Sequence, residues 1–324
     1  MKYTNLGRSG LMVSRLGLGT MNFAVHTSET EAHAILDRAV DKGINLVDTA
    51  NTYGSRLGEG ETEQIIGNWL ALDPARRDRI VLATKMYGLM SHRPNAGRLS
   101  AFHIRKACED SLRRLRTDHI DVLQLHHIDR TTPWEETWQA LELLVAQGKV
   151  TYIGTSNFAG WHLARAQEYA RHRDATAPVS EQSVYNLLER TVELEVLPAC
   201  RAYGIGLLPY SPLHGGLLGG ALRRAAAGGR TASTKSGRQL ERHHEAITAY
   251  EKWCDGLGVP PARVALAWLL HQPGVTAPVL GPRTAEQLDD GLAALRISLD
   301  GDRLKELDAL FPGPGGPAPE AYAW

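Results

Sequence analysis

The sequence predicts a closed (β/α)8 barrel, and three observations carry that expectation. Eight short apolar runs punctuate the 324 residues, and amphipathic helical patterns separate them. Apolar strands alternating with helices imply a parallel sheet covered on its outside, and eight such units suit closure into a barrel. Residues of catalytic type follow the runs: Asp48 and Tyr53 after one, Lys85 after the next, His126 after a third. An open doubly wound sheet is the competitor. The first strand–helix turn, Gly17-Leu18-Gly19-Thr20-Met21-Asn22, counts against it, because it lacks the third glycine of a dinucleotide fingerprint.

Taken in order, residues 3–14 read as a hairpin around a glycine turn, placed as a plug on the barrel floor. The first barrel strand is 16–20. Helix 28–42 opens on a capping-box pair, Ser28 and Glu31, and repeats Ala32, Ile35, Leu36, Ala39 and Val40 at helical spacing before Gly43 stops it. Strands 44–49 and 80–85 follow. Helix 100–115, patterned by Ile104, Ala107, Cys108, Leu112 and Leu115, feeds strand 120–126. Helix 133–147 carries Pro133 in its first turn, buries Trp138, Leu141 and Val145, stops at Gly148 and feeds strand 150–155. Helix 159–173 leads to 178–184, a strand so polar (Pro178-Val179-Ser180-Glu181-Gln182) that only the rhythm assigns it. Helix 190–203, strand 205–210, helices 240–257 and 261–271, strand 275–280 and helix 284–294 complete the series.

Two segments stand outside the rhythm. Residues 211–239 form a long insertion after the seventh strand, and such loops are usually functional or mobile. The Pro- and Gly-rich tail at 311–317 is irregular, and burial of Tyr322 and Trp324 is expected to hold that end. Residues 1–324 are read as one domain.

With 36 basic and 36 acidic residues the net charge is zero, which argues against nucleic acid or an anionic membrane as a partner. The apolar runs are far short of a membrane span, and Met1-Lys2-Tyr3-Thr4 leads into no signal-peptide core, so a cytoplasmic protein is expected. Cys108, Cys200 and Cys254 are isolated and match no disulfide or metal framework; they read as small buried hydrophobes in a reducing compartment. His243 and His244, adjacent on a helix, point about 100° apart and are read as no metal site.

If the runs are parallel barrel strands, a carboxylate, a phenol, an ammonium and an imidazole converge on one mouth. That set can move a proton at a carbonyl oxygen while a cofactor moves a hydride. Singly, each has a plainer reading: Asp48 a capping acid, Tyr53 a loop aromatic, Lys85 a solvated strand-end lysine, His126 a core histidine. Jointly they point to function, because titratable groups rarely converge without purpose. His127 points to the other side of its strand and reads as packing or pocket wall.

The four residues resemble the tetrad of the aldo-keto reductase family, and the resemblance covers nearly the whole chain. It rests on Leu16-Gly17-Leu18-Gly19-Thr20, Asp48-Thr49-Ala50-Asn51-Thr52-Tyr53-Gly54, Thr84-Lys85, Gln124-Leu125-His126, Gly154-Thr155-Ser156-Asn157-Phe158, Gln182, Tyr210-Ser211-Pro212-Leu213, and Gly281-Pro282-Arg283-Thr284 with Gln287. The resemblance implies NADPH-dependent reduction of aldehydes or ketones, with Tyr53 as proton donor, Lys85 and Asp48 tuning it, and His126 orienting the substrate oxygen. It also implies a cofactor site. Ser156, Asn157 and Gln182 would hold the carboxamide and Tyr210 would stack under the nicotinamide. Ser211 to Leu217, Leu213 among them, would pass the pyrophosphate, and Arg283 would take a 2′-phosphate; Thr20, Gly281 and Gln287 lie in the matching stretches. Asn157 also reads as an N-cap of helix 159–173.

One departure stands out. The family's last helix usually runs from a Gln to an acid followed by Asn at the adenine; here it reads Gln287-Leu288-Asp289-Asp290-Gly291, where Asp290 replaces the acid and Gly291 has no amide to offer. The wording of the chain, including His126-His127-Ile128-Asp129 and the Pro-Glu-Ala-Tyr ending, resembles a bacterial branch that includes reductases of nucleotide-linked deoxysugars, so an NDP-4-keto-6-deoxyhexose 2,3-enoyl reductase is the alternative enzyme. A regulatory module like potassium-channel β subunits, which use this fold and cofactor mainly as a partner, is the alternative of another class; the complete tetrad argues for turnover instead. In the family's steroid double-bond reductases a glutamic acid stands where this chain has His126. The expected partner is a small carbonyl compound, and the chain is expected to be a monomer or a homo-oligomer.

Overall fold

The computed structural model describes residues 1–226 and 234–323. Eight parallel strands form one sheet: β1 (Gly17–Gly19), β2 (Leu46–Asp48), β3 (Val81–Met86), β4 (Ile120–Leu125), β5 (Val150–Ser156), β6 (Ser180–Val184), β7 (Gly206–Tyr210) and β8 (Val279–Leu280). They are paired in the order β8-β1-β2-β3-β4-β5-β6-β7. The two edges meet just before β8, where Leu207 pairs with Val275 and Thr276 N donates to Leu207 O at 2.8 Å. The result is a (β/α)8 barrel, as the alternation of patterns predicts. Only the end of the expected strand 275–280 is regular, and its start serves as the closing bridge.

The antiparallel hairpin, Tyr3–Asn5 paired with Met12–Ser14, sends Leu6 and Val13 into a cluster with Leu46, Val81, Ala83, Val122, Val179, Leu208, Ala277 and Val279. It therefore plugs the barrel at the amino ends of the strands. Gly7 is required there: it has φ 58°, and a β-carbon would lie 2.5 Å from the carbonyl oxygens of Gly204 and Val179.

Among the described residues, one helix of each strand–helix unit flanks the barrel: α1 (Glu29–Asp41), α2 (Glu61–Leu72), α3 (Ala101–Leu115), α4 (Trp134–Ala146), α5 (Gly160–His172), α6 (Val196–Tyr203), α7 (Pro261–His271) and α8 (Ala285–Leu292). The Ser28–Glu31 capping box forms as expected. Pro133 is the N-cap of α4 rather than part of its first turn. The expected helix 190–203 divides into a 3-10 turn, Thr191–Glu193, and α6. The expected helix 240–257 is two helices, Thr234–Arg242 and His244–Leu257, so His243 and His244 do not share one; His243 caps the second, its ring 6.2 Å from that of His214. Residues 227–233 of the predicted insertion lie outside the described residues.

Tyr322 is 70% exposed, so the expectation that it anchors the tail fails. Phe311 does so instead, buried against the Tyr250 ring at 5.4 Å while its carbonyl accepts from Arg190 Nη1 at 2.8 Å. Trp324 lies outside the described residues. All three cysteines are buried and unpaired, and burial pushes the Cys108 and Cys254 thiols up to about 12. No helix among the described residues is long and apolar enough to cross a membrane.

Candidate active site

Parallel strands deliver their carboxyl ends to one rim, and register decides which side chains meet there. Gly19 lies opposite Asp48, Lys85 opposite Gln124, and Ser156 opposite Gln182. Lys85 Nζ donates to Asp48 Oδ2 at 2.5 Å, to Thr49 O at 2.9 Å and to the Tyr53 hydroxyl at 3.3 Å. The other carboxylate oxygen, Oδ1, accepts from Gln124 Nε2 at 2.8 Å and from Gln182 Nε2 at 2.9 Å. The Lys85 and Asp48 side chains are 0% and 3% exposed. A buried ion pair survives only when further hydrogen bonds satisfy both partners, and two amides and a carbonyl do so here.

The four expected tetrad residues are brought together. The Tyr53 ring lies 5.0 Å below the Lys85 ammonium and edge-on to His126 at 5.9 Å. Burial works against the charge on Lys85, but Asp48 and the Tyr53 oxygen outweigh it and hold its pKa above the ordinary value. Burial also raises the Tyr53 pKa, and although Lys85 pulls it down, the phenol remains above its ordinary range. His126 is pushed down to about 4, first by burial and then by Lys85, so its imidazole is neutral at physiological pH. His127, exposed and just past β4, has its ring 5.4 Å from that of Tyr87.

Next to the tetrad, Asn157 adopts a left-handed backbone, φ 60°, a conformation that asparagine tolerates better than most residues. Its Nδ2 donates to His126 O at 3.1 Å and Ser156 Oγ at 3.0 Å, while its Oδ1 accepts from the Tyr210 hydroxyl at 3.0 Å. Asn157 is not the N-cap of α5. That position is Ala159, whose N–H goes to His162 Nδ1 at 3.2 Å, because the helix starts two residues too late for Asn157 to reach it. Ser156, Asn157, Gln182 and Tyr210 thus line one side of the mouth. Gln182 spends its amide N–H on Asp48 and Gln124 Oε1; its side-chain Oε1 has no partner among the described residues, while its backbone carbonyl accepts from Asn157 N at 3.0 Å.

The remaining predicted cofactor residues follow the rim. Thr20 Oγ1 donates to Asp48 O at 3.0 Å, and Gly281 O accepts from Asn22 Nδ2 at 2.8 Å. Ser211 has φ 50° and its carbonyl accepts from Asn186 Nδ2 at 3.0 Å, and Leu213 precedes the 3-10 turn His214–Gly219, whose Gly215 and Gly216 take positive φ. Arg283 stands just before α8, its N–H fixed by Gln287 Oε1 at 2.8 Å. Its exposed guanidinium makes no hydrogen bond or ion pair among the described residues. Asp290 is bonded to Arg263 at 2.7 Å and Asp289 to Arg38 at 2.7 Å. Gly291 is buried, and a β-carbon on it would lie 2.9 Å from Leu280 Cδ1.

Sequence reasoning gave no role to two residues bonded to this region: Gln124, quoted only within a matching stretch, which donates to Asp48, and Glu181, which accepts from Phe158 N beside Asn157. The signal available was polarity within the strands: Gln124 interrupts the otherwise apolar β4, and β6 is polar on both faces, with Gln182 toward the mouth and Glu181 on the opposite face.

The chain matches the profile of the Aldo/keto reductase family over residues 15–311. It is 53% identical, over the full length of both chains, to an uncharacterized oxidoreductase, YrpG, of Bacillus subtilis. It is 35% identical to Protein tas of Escherichia coli, covering 98% of this chain and 100% of that one. It is 32% identical to versiconal hemiacetal acetate reductase of Aspergillus parasiticus, covering 97% and 99%. A profile that spans almost every strand, and relatives matched end to end, agree with the geometry of the barrel mouth: this chain belongs to the aldo/keto reductase family.

Proposed function

We propose that the protein reduces aldehydes or ketones to alcohols with NADPH, Tyr53 giving the proton. The observation that supports this most is the bridging position of Lys85, 2.5 Å from Asp48 Oδ2 and 3.3 Å from the Tyr53 hydroxyl. When bound, NADPH supplies the hydride to the carbonyl carbon. Burial keeps Tyr53 protonated at neutral pH, so it waits as an acid. As its proton passes to the carbonyl oxygen, the developing phenolate faces the Lys85 ammonium, which Asp48 holds in place. Neutral His126 offers a hydrogen bond to the same oxygen without adding charge.

The donors at the mouth fit the cofactor. Ser156, Asn157 and the free side-chain oxygen of Gln182 would hold the carboxamide, and Tyr210 would offer its ring to the nicotinamide. Arg283, unpaired beside the amino end of α8, would take the 2′-phosphate, where helix dipole and guanidinium act together. Ser211, Leu213, Thr20 and Gly281 would flank the pyrophosphate, with Gln287 and Asp290 towards the adenine. Buried, unpaired thiols suit a reducing compartment, and we place the enzyme in the cytoplasm. The word reductase in a relative's name supports the direction of reaction.

The test is NADPH oxidation screened over aromatic aldehydes, simple ketones, sugars and a nucleotide-linked keto-sugar. Turnover with a carbonyl substrate is expected; cofactor binding without turnover of any of them would remove the enzymatic reading.

A further inference from the structure

The turn between β5 and α5 is bracketed by a residue that none of this chemistry uses. Glu181, in β6, is 0% exposed. Its Oε2 accepts from Thr155 Oγ1 at 2.5 Å, and its Oε1 accepts from Ser183 Oγ at 2.6 Å and Phe158 N at 3.1 Å. No lysine, arginine or histidine among the described residues forms an ion pair with it. The titratable neighbours that feel it are Cys200 of α6 and Tyr210 of β7, both held neutral by burial. A lone buried carboxyl is costly, so its retention calls for a return elsewhere. Two of its three hydrogen bonds grip Thr155 and Phe158, the residues on either side of Ser156 and Asn157. Between those grips Asn157 is held at φ 60°.

We propose that Glu181 is a positioning residue for the cofactor: it clamps the Thr155–Phe158 turn so that Ser156 and Asn157 present their side chains to the carboxamide. The proposal rests on the reading of Ser156 and Asn157 as carboxamide ligands. It also explains why β6 is so polar, since Gln182 serves the rim on one face and Glu181 serves the turn on the other.

Chemistry dictates which substitution replaces Glu181. Thr155 Oγ1 has a second acceptor, Ser180 O, at 3.2 Å. A glutamine can therefore donate to Thr155 Oγ1, whose own proton turns to Ser180 O, while the glutamine carbonyl still accepts from Ser183 and Phe158. Leucine fills the space and makes none of these bonds.

Dissociation constants for NADPH, from quenching of intrinsic fluorescence, and steady-state kinetics test this on the purified protein. Glu181→Leu is expected to weaken NADPH about tenfold or more and raise its KM more than it lowers kcat, whereas Glu181→Gln stays within about threefold of wild type. Because Glu181 acts through Ser156 and Asn157, Glu181→Leu should cost little further affinity in a Ser156→Ala, Asn157→Ala background. Thr155→Val, nearly isosteric, replaces the leucine variant in that cycle should the latter not fold. Unchanged affinity in the variant, or losses that simply add, would overturn the clamp while leaving the functional reading intact. Wild-type protein that binds neither NADPH nor NADH would overturn both.

Discussion

Gln182 and Asp48 lie 134 residues apart in the chain and 2.9 Å apart across the barrel mouth, amide to carboxylate. The bond gives Asp48 Oδ1 a second amide, beside that of Gln124, and leaves Oδ2 entirely to Lys85. It also joins the tetrad to the side of the mouth where Ser156 and Asn157 stand. The proposed acid–base residues and the proposed carboxamide residues therefore form one hydrogen-bonded assembly, and substitutions should separate its parts.

Tyr53→Phe removes the phenol that, alone among the described residues, contacts Lys85, and should lower carbonyl reduction by about 10² to 10⁴, the usual contribution of a general acid. NADPH affinity, read by fluorescence titration, should stay close to that of wild type. A variant with more than a tenth of normal turnover would remove Tyr53 from the role.

Arg283→Ala should weaken NADPH selectively. A charge-assisted fork to phosphate contributes about 1.5–3 kcal/mol, or roughly ten- to more than a hundredfold in affinity, and NADH has no 2′-phosphate to lose it. Titration of both cofactors checks this, and equal weakening would make Arg283 structural.

On an enone, wild-type enzyme should give mainly the allylic alcohol. His126 is neutral, with its pKa down at about 4; in the proposed mechanism its bulk would keep the carbonyl oxygen beside Tyr53, and hydride would fall on the carbonyl carbon. His126→Glu should move product towards the saturated ketone. Chromatography of the products decides, and mainly saturated ketone from wild type would favour the sugar-enoyl alternative.

Stability should report Glu181 through pH. Burial raises its carboxyl from 4.5 to about 7, so the folded state holds a proton that the unfolded state has lost across that interval. The contribution is fully present below 4.5 and fades as pH rises through about 7. Glu181→Gln carries no such proton, so its melting temperature relative to wild type should climb over the same window. A constant difference from pH 4 to 8 would show that Glu181 does not titrate there.

The barrel was legible because the rhythm of strand and helix survives even where single elements are weak. The convergence of the four expected residues was legible because Asp48, Lys85 and His126 stand at the ends of apolar runs and Tyr53 lies five residues past Asp48. Other features were not. Helix α2 was not delimited: it begins at Gly60 in a left-handed conformation with no side-chain cap, and its buried Thr62 and Glu63 blur the apolar stripe. Strand β6 hid its importance because its side chains satisfy one another through partners distant in sequence, and periodicity does not register such pairing. Asn157 was misplaced as a cap by two residues, since His162 does that work from inside the helix. Tyr322 misled because aromatic character alone does not show which ring packs against the Tyr250 side of the core, and Phe311 does.

Gly291 has a steric consequence. A β-carbon there would lie 2.9 Å from Leu280 Cδ1, so a larger side chain on α8 requires Leu280, in β8, to change rotamer. Because Cδ1 is the free end of a flexible side chain, that adjustment is cheap, and Gly291→Asn should be tolerated at a modest cost in stability.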